Sequence, residues 1–152
     1  MPREIKFRAK HTETGNWICG SSDIFYTYDY LVPLSLFWYW VQIGILDPKT
    51  VGEWTGFKDK NGKEIYEGDI VQWQVELESL KRVIQRVIQS IVYWDEERAY
   101  FDWNDIKNIQ TKYGHIDRTP SFELCRSFAW GDWEVIGNIW ENPKLLENND
   151  IT

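Results

Sequence analysis

Two tight turns fall close together in the middle of this chain, at Asn61-Gly62 and at Glu67-Gly68-Asp69. Asn-Gly is the strongest short-range hairpin signal, because both residues reach left-handed backbone angles at low cost. The stretch Lys58-Asp59-Lys60-Asn61-Gly62-Lys63-Glu64-Ile65 therefore reads as a hairpin. The second turn feeds residues 70–75, where Val71, Trp73 and Val75 share one face of an alternating strand. Turns this close together leave room for only a short strand between them.

The same punctuation recurs elsewhere. Ile5, Phe7 and Ala9 alternate with Lys6 and Arg8, which is strand periodicity. His11-Thr12-Glu13-Thr14-Gly15-Asn16 is turn chemistry, and Trp17-Ile18-Cys19 returns, so the chain is expected to open on a hairpin. Pro33 interrupts the aromatic block of residues 25–40, which is expected to form short strands or an irregular loop. Asp47-Pro48-Lys49-Thr50 suits a turn, and residues 51–56 suit a short strand.

Residues 76–90 carry two signals. Leu77, Leu80, Ile84, Val87 and Ile91 follow helical spacing, whereas Val83, Ile84, Val87, Ile88, Ile91 and Val92 are β-branched and favour strands. The reading taken is a strand over residues 87–94, preceded by a short helix or loop. Asp95-Glu96-Glu97-Arg98 is then a hairpin turn and residues 99–103 the return strand. Residues 102–118 are expected to be loop with some helix. Two more strands are expected at 121–125 and 133–140, then one terminal turn at 144–147.

Many short strands in 152 residues (18.2 kDa) point to a mostly β fold. The expectation is a small barrel, SH3-like or related, with an N-terminal hairpin and irregular, partly helical insertions. Residues 1–147 are expected to form a single domain and residues 148–152 a frayed tail. The fractions of 43% hydrophobic and 27% charged residues exclude wholesale disorder. The longest apolar stretch, residues 31–45, is broken by Pro33, Ser35, Gln42 and Gly44, so no membrane span is expected. Nothing at the start resembles a secretory signal, and Cys19 and Cys125 are expected to be reduced thiols in a cytoplasmic protein.

Three segments together resemble the YopX-like proteins of phages and prophages of Gram-positive bacteria. The first is Arg3-Glu4-Ile5-Lys6-Phe7-Arg8-Ala9 followed by Thr14-Gly15. The second runs from Val51-Gly52 through Thr55-Gly56-Phe57-Lys58-Asp59-Lys60-Asn61-Gly62-Lys63-Glu64-Ile65-Tyr66-Glu67-Gly68-Asp69-Ile70-Val71. The third is Trp133-Glu134-Val135-Ile136-Gly137-Asn138-Ile139-Trp140-Glu141-Asn142-Pro143. The resemblance implies a mostly β fold, a phage or prophage origin and self-assembly into a homo-oligomer. It implies no enzymatic activity and carries no functional residues over to this chain.

Chemistry-bearing residues are sparse in pattern. His11, His115, Cys19 and Cys125 are far apart and lack metal-ligand spacing. Neither cysteine has a local base, no nucleophile elbow occurs, and no glycine-rich stretch has phosphate-loop spacing. Asp95, Glu96 and Glu97 are adjacent, but acids on a hairpin tip are solvated more often than catalytic. The chain is thus read as non-enzymatic, with no cofactor and no metal.

Ten tryptophans are the main anomaly. Core filling accounts for most, while the remainder suit subunit contacts, where Trp and Tyr are favoured. Residues 28–40 hold a single charge, Asp29, and form the candidate protein interface: Tyr28, Tyr30, Leu34, Phe37, Trp38, Tyr39 and Trp40. The preferred function is a phage accessory protein acting through protein contacts, with itself or with a host or phage partner.

A net charge of −7 argues against nucleic acid. The alternative patch that could still bind it combines Trp73 and Trp94 with Lys81, Arg82 and Arg86. Arg3, Lys6, Arg8 and Lys10 are read as solvated surface charge. An acidic inhibitor that imitates DNA before a host enzyme ranks last, since the net charge is modest for such a role.

Overall fold

The structure, a computed structural model, describes residues 3–79, 82–110 and 133–147. It is mostly β, with nine strands and one α-helix among the described residues. The strands are β1 (Lys6–Lys10), β2 (Trp17–Ser21), β3 (Leu31–Pro33), β4 (Gly52–Lys58), β5 (Glu64–Tyr66), β6 (Asp69–Ser79), β7 (Arg82–Asp95), β8 (Tyr100–Gln110) and β9 (Glu134–Asn138). The helix, α1, is Leu34–Gln42. The chain divides after Gly56 into two compact units.

In the first unit β1 lies between β2 and β4, antiparallel to both, and β3 runs parallel to β2. The expected opening hairpin is present, with Lys10 opposite Trp17 and Lys6 opposite Ser21. Alternation along β1 sends Phe7 and Ala9 to one face, where Ala9, Ile18, Val32, Phe37 and Leu46 form a core. Gly20 is required there. A Cβ at that position would stand 2.5 Å from the Cβ of Phe37, so only glycine lets the helix approach the sheet this closely.

Residues 25–30 are loop and β3 is a short strand, as expected, but helix α1 corrects the same reading for residues 34–40. Pro33 does not break the helix but precedes it, at φ −56° and ψ 144°. Its missing N–H is harmless there, because the first N–H groups of a helix have no partner inside it. The helix ends in a Schellman motif. Gly44, at φ +81°, donates to the carbonyl of Val41, and Ile45 donates to that of Trp40.

In the second unit the order is β8-β7-β6-β9, all antiparallel. Its core is Ile65, Val71, Trp73, Ile88, Val92 and Trp133, with Phe101, Trp103 and Val135 packed against it. The Trp133 ring lies 5.7 Å from Trp73 and 5.6 Å from Trp103, centroid to centroid. Residues 76–79 and 82–86 are strand rather than helix or loop: β6 and β7 pair from Ile70↔Ile91 out to Ser79↔Arg82. The β-branched residues there outweigh the helical spacing once a partner strand is alongside. Likewise β8 continues to Gln110, where loop and helix were expected. The expected strand at 121–125 and the frayed tail at 148–152 lie outside the described residues.

The central turns form as expected. Asp59 is buried and organises the hairpin. Its Oδ1 accepts from the N–H groups of Asn61 (2.8 Å) and Lys63 (2.9 Å), and its Oδ2 accepts from Val135 N–H (2.9 Å). Asp69 does similar work at the next turn, where it accepts from Tyr66 N–H at 2.8 Å. Strand orders in both sheets are open, and no closed barrel forms among the described residues. None of the described helices is long and apolar enough to cross a membrane.

Candidate interaction surface

Helix periodicity sorts the aromatic block into two sets. Leu36, Phe37, Trp40 and Val41 turn inward and pack in the first unit's core, with Phe37 fully buried. Ser35, Trp38, Tyr39 and Gln42 follow the i, i+3, i+4, i+7 spacing of a single helix face, and all four are exposed. Trp38 is 42% and Tyr39 55% exposed. An outward helix face normally carries charge, but the whole of α1 has none. Trp38 is held edge-on against Phe7 at 5.0 Å and against Phe37 at 5.5 Å, so its ring is anchored on the core side while open to solvent.

Of the seven residues expected at the interface, Phe37 belongs to the core, Trp40 packs against it and Leu34 is half-buried. Tyr28 and Tyr30 are exposed, and they sit not on the helix but in the loop before β3. That loop is fixed to the sheet by its backbone. Cys19 N–H donates to the Tyr30 carbonyl and Tyr28 N–H to the Leu31 carbonyl, each at 2.7 Å.

The second constellation is dispersed. The Trp73 ring is buried in the second unit's core. Trp94 stands at the far end of β7, stacked edge-on with Phe101 at 4.8 Å. Eight residues of strand separate it from Arg86, which is about 26 Å along the chain. Arg82 and Arg86 take register positions opposite Ser79 and Val75. Lys81 lies outside the described residues.

Of the N-terminal basic residues Arg3 is exposed, as expected, while Lys6 and Lys10 are half-buried and Arg8 corrects the reading of solvated charge. Lys6, Arg8 and Lys10 alternate onto the sheet face opposite the helix, and Arg8 is buried. Arg8 stacks on the Trp17 ring at 4.4 Å, Lys10 lies 5.3 Å from that same ring, and Lys6 lies 4.9 Å from Trp54. Arg3 donates from Nη2 to the Trp54 carbonyl at 2.9 Å. The three ring contacts are cation–π contacts that tie β1 to its neighbours, through Trp17 on β2 and Trp54 on β4. Their sequence signal was available: once the hairpin is assumed, Lys10 must face Trp17.

No group of His, Cys, Asp or Glu suited to a metal occurs among the described residues. His11 is engaged in the first hairpin, where its Nδ1 accepts from Glu13 N–H at 3.2 Å and Thr14 N–H at 3.3 Å. Cys19 is half-buried opposite Arg8. His115 and Cys125 lie outside the described residues.

Comparison with known proteins gives one family. The family model described as YopX protein matches residues 6–147. No curated protein matches the chain. Among solved structures, the crystal structure of protein EF1440 from Enterococcus faecalis is similar at 22% identity, with 94% of this chain and 98% of that chain covered and a TM-score of 0.47.

Proposed function

This chain belongs to the YopX family, and from that premise we propose a phage or prophage accessory protein that acts through protein contacts and associates with itself. The observation carrying this reading is the exposed face of α1, with Trp38 and Tyr39 on a helix free of charge. A chain of net charge −7 repels its own copies. Two copies approach most easily where neither presents charge, and α1 is such a place. Apolar rings on a rigid helix also suit an isologous contact, in which the same face serves both copies. Nucleic acid is the weaker reading, since Trp73 is buried and Trp94 is remote from Arg82 and Arg86.

Sedimentation of the wild type beside Trp38→Glu and Tyr39→Lys tests this proposal. Both variants place a charge on an exposed position. Trp38→Glu also removes a ring packed on Phe7 and Phe37, so circular dichroism of that variant separates lost contact from lost folding. Tyr39→Lys tests the face without that contact. The wild type is expected to gain mass with concentration while both variants stay monomeric. Equal behaviour of all three proteins rejects the helix face as the contact.

A further inference from the structure

The loop before β3 and its first residue form an open concavity of about 590 Å³, lined by Ile24, Thr27, Tyr28, Asp29, Tyr30 and Leu31. Tyr28 is 58% and Tyr30 68% exposed, and Asp29 between them is exposed as well. Two tyrosines and one carboxylate lining the same concavity suit a cation better than an anion or a neutral group. The ring faces carry negative quadrupole potential, and the carboxylate adds a full charge.

The surrounding sequence strengthens the match. Residues 11–48 contain no Lys or Arg, while Glu13, Asp23, Asp29 and Asp47 all fall within them. The six residues lining the concavity include no basic side chain. The backbone is also fixed beforehand by the hydrogen bonds from Cys19 N–H and Tyr28 N–H, so the loop need not be ordered when a ligand arrives.

We propose that this loop is a receptor for an arginine- or lysine-rich peptide segment of a partner protein, whose cationic side chains stack on Tyr28 and Tyr30 and pair with Asp29. The occupant is basic because the stretch is acidic and aromatic. Nucleic acid carries the wrong charge for it. This proposal does not depend on self-association through α1, because it uses different residues and holds for a monomer.

The test is a titration of the dilute full chain with a hexa-arginine peptide, followed by amide NMR, beside a hexaglutamate control. The expected result is a saturable response concentrated at Tyr28, Asp29 and Tyr30, weakening as salt rises. Tyr28→Ala and Tyr30→Ala should each weaken binding by about two- to fivefold, the range expected of one exposed cation–π contact. Tyr30→Phe keeps the ring and should bind as the wild type does. Asp29→Asn should weaken binding and flatten its salt dependence. A response spread evenly over the acidic surface overturns the proposal. So does an equal response to hexaglutamate, or a loss in Tyr30→Phe as large as that in Tyr30→Ala. Circular dichroism of each variant separates lost binding from lost folding.

Discussion

Asp59→Asn is the substitution whose outcome the structure specifies most fully. The carboxylate receives three backbone N–H groups: two from its own hairpin, at Asn61 and Lys63, and one from Val135 on β9. Burial alone would raise the pKa of Asp59. The N–H groups of Val135, Lys63 and Asn61, together with the Lys63 charge, outweigh burial and hold the carboxyl below its ordinary value. An amide has the same shape but only one acceptor oxygen. If that oxygen stays with the turn, Val135 N–H faces an NH₂ group and loses its bond. A hydrogen bond to a charged acceptor contributes about 1.5–3 kcal/mol and a neutral one about 0.5–1.5 kcal/mol. Losing one such bond and weakening two others by about 1 kcal/mol each sums to about 4–5 kcal/mol. For a chain of this length that lowers Tm by about 8–20 °C.

The sign of the pH dependence comes from the same contacts. The folded pKa is depressed, so this contribution is fully present above the unfolded aspartate pKa of about 3.9 and is lost as pH falls through the folded value. Denaturant unfolding, read by tryptophan fluorescence at several pH values, should show a gap between wild type and Asp59→Asn at neutral pH that closes in acid. Hydrogen exchange at Val135 should accelerate in the variant. A gap below about 0.5 kcal/mol at neutral pH, within the ordinary range of a neutral surface change, would falsify the assignment of Asp59 as the tie between hairpin and β9. A gap that persists undiminished at low pH would do the same.

Other substitutions probe the two units separately. Gly20→Ala forces a Cβ against Phe37 and should destabilise the first unit by about 1–3 kcal/mol, seen as a lower denaturation midpoint with an unchanged slope. Gly68→Ala meets both a φ of +85° and the Trp140 ring, so the left-handed backbone alone should cost about 1–2 kcal/mol, with the clash added and measured in the same way. Tyr93 is pushed above the ordinary phenol range, first by burial and then by the Asp102 charge. Asp102→Asn should therefore bring its ionisation partway down in an ultraviolet titration, and no change would remove Asp102 as a cause.

Local backbone geometry was the part legible in the sequence. Gly62 and Gly68, at φ +81° and +85°, sit in the turns that their neighbours announced. The β1–β2 hairpin was equally plain, because alternation and turn chemistry agreed. Residues 76–86 were not plain: apolar spacing there fits a helix, and only the pairing of β6 with β7 decides for strand. Pro33 misled for a different reason. A proline reads as a break, yet immediately before a helix its ring leaves the first turn undisturbed. The helix also decides the site. With no helix assumed, Phe37, Trp38, Tyr39 and Trp40 are equivalent rings. Helical spacing alone sends Phe37 and Trp40 inward and leaves Trp38 and Tyr39 for contact. The burial of Arg8 depends on the Trp17 ring across the strand, which the number of charges does not reveal.

Light scattering across concentration and salt, with and without bulk single-stranded nucleic acid, tests most directly whether this chain works through contact with its own copies. Salt screens the repulsion between acidic copies but weakens any phosphate contact, so the two modes respond oppositely. Self-association predicts a mass above the 18.2 kDa monomer at raised concentration, increasing with salt and indifferent to nucleic acid. A mass fixed at the monomer value throughout, or one that grows only when nucleic acid is added at low salt, contradicts it.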